Sequence, residues 1–72
     1  SGIENHYIQQ AINSLEEDFR SIINLRDIQE LEYEEIAKIT GLPMGTVKSR
    51  INRAREKLKK LLSDIYPYKE IN

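Results

Sequence analysis

Seventy-two residues allow one small domain with a thin core. The chain has no cysteine, hence no disulfide framework and no cysteine-based zinc site, which suits a reducing cytoplasm; it also has no apolar run long enough to span a bilayer and no signal-peptide pattern. The net charge of −1 conceals a split, because residues 43–62 hold seven cations against one anion while the residues before them hold three cations against nine acids.

Ser1-Gly2, without an initiator Met, reads as a cloning remnant ahead of a domain spanning about 3–65. The first helix is expected over about 4–14, with Tyr7, Ile8, Ala11, Ile12 and Leu15 on its apolar side. A second is expected over about 16–29. Glu16, Glu17 and Asp18 crowd its first turn, where the helix dipole favours acids, and Phe19, Ile22, Ile23 and Ile28 face inward with Leu25 nearby. The third, over about 33–40, opens on Glu34 and Glu35 and carries Ile36, Ala37 and Ile39. Gly41 suits the left-handed residue that closes a helix, and Pro43 suits the first turn of the next. That last helix covers about 44–63, and residues 66–72 read as a frayed tail. No strand signal appears, so the fold class is all-α: four helices with a helix-turn-helix and a long C-terminal helix.

The basic segment is ordered. At 100° per residue from Val47, the residues Val47, Ile51, Ala54, Leu58 and Leu61 fall within about 40° of one line, a stripe that packs on a core. Ser49, Asn52, Arg53, Glu56 and Lys60 lie opposite. Lys48, Arg55 and Lys59 border one flank, Arg50 and Lys57 the other. The outward face suits base edges, and the flanks suit phosphates on either side of a groove. A solvated charged face on an ordinary helix is the plainer alternative. The short helix, the Gly turn and the small Ala37, where a second helix crosses closely, make the pattern a helix-turn-helix whose second helix enters the major groove.

Catalysis finds little support. His6 is the single histidine and has no Cys or Ser partner at a telling spacing. The acid pairs are helix-start residues, and Gly41 and Gly45 lack the Lys-Ser/Thr ending of a phosphate loop. No enzyme, cofactor or metal is expected. The acids of the front half read first as a solvated surface that keeps the domain soluble.

The blocks Asp27-Ile28-Gln29-Glu30-Leu31-Glu32-Tyr33-Glu34-Glu35-Ile36-Ala37, Gly41-Leu42-Pro43-Met44-Gly45-Thr46-Val47-Lys48-Ser49-Arg50-Ile51 and Arg53-Ala54-Arg55-Glu56-Lys57-Leu58 closely resemble region 4 of bacterial sigma factors of the extracytoplasmic-function (ECF) type. The resemblance covers about residues 5–62. It implies a domain that docks on RNA polymerase while its last helix reads the −35 promoter element. It assigns Lys48, Ser49, Asn52 and Arg53 to base-facing positions and Thr46, Arg50 and Arg55 to the neighbourhood of phosphates, beside which Lys57 lies on the Arg50 flank. It also implies a groove for the flap helix of the polymerase β subunit, drawn from Ile8, Ile12, Ile22, Ile23, Leu25 and Ile28, and an anti-sigma protein as a competitor for that surface. The chain departs from the family at helix boundaries: Glu16 stands where Pro is frequent, Glu30 where Gly is, and Glu32 where Ser or Thr caps. A response-regulator effector domain shares the Glu-Ile-Ala helix and the Thr-Val-Lys start, but it usually has His where Arg50 stands and lacks Arg-Ala-Arg. A sigma-like adaptor that binds only protein has no use for the cationic face.

Overall fold

The computed structural model describes residues 2–66. Its helices are α1 (Gly2–Asn13), α2 (Glu17–Ile23), α3 (Tyr33–Thr40) and α4 (Met44–Ile65), with a π-helical segment, Asn24–Ile28, continuing α2. There is no strand among the described residues. Gly2 is the first residue of α1. Of the expected frayed tail, residues 67–72 lie outside the described residues. Tyr66 closes α4 by donating its N–H to the Leu62 carbonyl at 2.9 Å, and its ring meets Tyr7 edge-on at 5.4 Å.

α4 is the spine, lying against α1, α2 and α3. Its inward stripe supplies Val47, Ile51 and Ala54, all fully buried, to a core completed by Ile12, Leu15, Ile22, Ile23 and Ile36. Leu58 and Leu61 pack at its edge. Burying an aliphatic side chain of this size contributes about 1.5–3 kcal/mol, so α4 is held by tertiary packing more than by propensity.

The turns explain the order of the helices. Between α1 and α2, the Arg20 guanidinium donates to the Leu15 carbonyl at 3.0 Å and the Asn13 carbonyl at 3.5 Å, satisfying groups the end of α1 leaves open. The Gln29 N–H reaches back to Asn24 O at 2.9 Å, the five-residue bond of a π turn. That wider turn takes Ile28 off the inward face the α-helical period predicts, and Ile28 is 57% exposed. The loop then passes through Glu30 at φ 59°. Glu32 is the N-cap of α3, and Glu35 Oε1 accepts its N–H at 3.1 Å, half of a capping box. Gly41 closes α3 at φ 75°, its N–H donating to Ala37 O at 2.8 Å. Pro43 is the N-cap of α4 rather than a residue of its first turn, and its carbonyl accepts the Val47 N–H at 3.0 Å.

Candidate nucleic-acid interface

The face opposite the buried stripe of α4 is exposed and is bordered by the start of α2. Lys48, Ser49, Asn52 and Arg53 are exposed within the first ten residues of the helix. Their exposure follows from the anchoring of Val47, Ile51 and Ala54 in the core, since a helix fixed on one side must present the other. Ser49 Oγ donates to the Thr46 carbonyl at 3.2 Å, which fixes the hydroxyl on the helix surface. Thr46 and Arg50 are half-buried.

The expected phosphate residues have different surroundings. Arg50 and Arg53 share a cleft with Glu16, Glu17, Asp18 and Phe19, so the start of α2 borders the outward face of α4 with carboxylates. A second, shallower apolar groove runs from Phe19 along Asn52, Arg53, Glu56, Lys57 and Lys60. Lys57 Nζ lies 4.0 Å from Glu16 Oε1, both side chains well exposed, a pairing worth little in water. Arg55 is engaged within the molecule. Its Nε and Nη2 donate to the two oxygens of Asp27 at 3.1 and 2.5 Å. That hydrogen bond, reinforced by the attraction of Asp27 and opposed by partial burial, raises the Arg55 pKa above its ordinary value. Residues 27 and 55 are far apart in sequence, and neither block signals the pair.

The proposed flap groove is divided by the fold. Ile12, Ile22 and Ile23 are buried in the core. Ile8 at 39% and Ile28 at 57% exposure remain outside, with Leu25 half-buried. Ile3 and Ile39, which no motif singled out, are exposed too. At the far end of α4, Glu4, Ile8, Leu62 and Tyr66 line a small cleft. Among the described residues no group of His, Cys, Asp or Glu is arranged to hold a metal ion, and no helix is long and apolar enough to cross a membrane.

A family described as sigma-70, region 4 matches residues 5–58. The chain is 48% identical over 58 residues to the ECF RNA polymerase sigma factor SigW of Bacillus subtilis, covering 81% of this chain and 31% of that protein. It is 45% identical over 58 residues to the RNA polymerase sigma-H factor of Pseudomonas aeruginosa, covering 81% and 30%. It is 57% identical over 47 residues to the ECF RNA polymerase sigma-E factor of Escherichia coli K12, covering 65% and 25%. The chain therefore spans less than a third of the length of these relatives.

Proposed function

The chain belongs to the sigma-70 region 4 family, and from that membership we propose that it binds the −35 element of promoter DNA and helps direct RNA polymerase to the start of transcription. The observation that carries the reading is the two-sided character of α4, three fully buried residues on one side and four exposed polar or cationic residues on the other. In this reading Lys48, Ser49, Asn52 and Arg53 meet base edges in the major groove. Asn pairs with adenine and Lys or Arg with guanine through the donors each base displays. Thr46, Arg50 and Lys57 lie along one flank of the helix, beside the phosphates there, and fix the register. Arg55, expected with them, is held by Asp27 and stands apart from that set.

The polymerase contact falls to the exposed apolar residues of the first helices, where Ile8, Leu25 and Ile28 offer surface to a helix such as the β flap. An anti-sigma protein would compete there. The site of action is the cytoplasm, where polymerase and promoter meet. The domain works by binding and carries out no chemistry of its own. Membership in a sigma family leaves no support for a response-regulator effector domain, and the exposed cationic face argues against an adaptor that binds only protein.

Selection of sequences from a randomised duplex library, at low and at moderate salt, tests the reading. A short asymmetric motif that survives moderate salt is expected. Enrichment that disappears with salt would reduce the interaction to phosphate attraction and remove the promoter-reading role from this chain.

A further inference from the structure

Arg55 has an engagement that neither the DNA face nor the core explains. Its guanidinium meets the Asp27 carboxylate with two nitrogens on two oxygens, across 28 positions of sequence. Asp27 belongs to the π-helical segment Asn24–Ile28. Next to it, Arg26 Nη1 donates to the Leu31 carbonyl at 2.8 Å, and the Arg26 guanidinium lies 4.6 Å from the centre of the Tyr33 ring. Tyr33 opens α3. Two arginines thus tie three successive parts of the domain together: Arg55 joins α4 to the π segment, and Arg26 joins the π segment to the start of α3.

We infer that Arg55 is a positioning residue, whose fork on Asp27 sets how α4 presents Ser49, Asn52 and Arg53, and that it does not serve as a phosphate ligand. Two arguments separate these roles. The Arg55–Asp27 pair is neutral as a unit, so a phosphate drawn to Arg55 meets a carboxylate as well. The side chains are 44% and 34% exposed, where an ion pair adds little to stability, but a bidentate fork fixes direction as well as distance. The neighbouring Ala54, fully buried, seats the same turn of α4 in the core, so the fork and the core together constrain rotation of the helix. The inference rests on the DNA-binding reading above, and its test separates the two.

The test uses the chain and its Arg55→Ala, Arg55→Lys and Asp27→Ala variants, each checked for folding by circular dichroism, with binding to a random duplex and to the duplex enriched by selection followed across salt. Arg55→Ala is expected to leave the salt slope on the random duplex unchanged while lowering the ratio of enriched to random affinity by about threefold or more. Arg55→Lys keeps the charge but loses the fork, and is expected to lose the ratio as well. Asp27→Ala is expected to lower it comparably, and a variant carrying both Asp27→Ala and Arg55→Ala no further than either single one. A slope shallower by about one unit in Arg55→Ala would put Arg55 on a phosphate and overturn the inference, as would an Arg55→Lys protein that discriminates like the parent. Failure of the parent chain to discriminate would sink the promoter reading instead, and the slope on the random duplex would still decide the role of Arg55.

Discussion

Glu30 occupies φ 59°, a conformation in which its Cβ crowds the following carbonyl. The family often has Gly there, and the position shows why: the chain leaves the π segment and must turn before α3. Glu30→Gly removes the crowding at the expense of a more flexible unfolded chain. The net expectation is a gain of about 0.5–1 kcal/mol, read as a midpoint several degrees higher in thermal unfolding; an unchanged or lower midpoint would mean that the Glu30 side chain contributes something this conformation does not reveal. Arg53 is the residue on which sequence reading leans hardest. Arg53→Ala is expected to lose about 1–3 kcal/mol of preference for the enriched sequence over a random one, and equal losses on both duplexes would assign Arg53 to the phosphates.

At the scale of elements, α4 depends on its buried stripe. Ile51 is fully buried at the centre of that stripe, and Ile51→Ala is expected to cost about 2–5 kcal/mol in urea unfolding, a large share of the stability of so small a domain. A cost below about 1 kcal/mol would indicate that the core collapses around the gap. The stripe was legible in the sequence because apolar residues at spacings of three and four have one helical reading, and Gly41 was legible because few residues accept the conformation that ends α3. The π segment was not. Ile22, Ile23, Leu25 and Ile28 suit an α-helix equally well, and it is the Gln29-to-Asn24 bond that marks the wider turn. The division of the isoleucines between core and surface depended on that turn and on the seating of α1. The Arg55–Asp27 fork was hidden for a different reason: it joins residues that only the completed fold brings together, and the charge pattern of α4 alone carries no sign of it.

For the whole molecule, the separation of charge gives the domain a direction. Residues 43–62, most of α4, hold seven cations against one anion, and the residues before them nine acids against three cations, so the field favours approach of a duplex along α4 and opposes it elsewhere. With two or three phosphates neutralised by Arg50, Lys57 and their cationic neighbours on α4, the logarithm of affinity for random DNA is expected to fall by about two to three units per decade of salt. A slope near zero would remove phosphate attraction from the interaction. Glu16, Glu17 and Asp18 beside Arg50 and Arg53 offset part of that attraction, which favours modest affinity for random sequence and leaves more of the binding to base contacts. The central claim is that the outward face of α4 is the surface that meets DNA. Titration of the isotopically labelled chain with the enriched duplex, followed by amide chemical shifts, tests it most directly. The largest changes are expected over residues 46–53 and at the Asn52 side-chain amide, with Ile8 and Ile28 unmoved; changes centred on Ile8, Ile28 or the start of α3, with α4 silent, would contradict a DNA-binding role for that face.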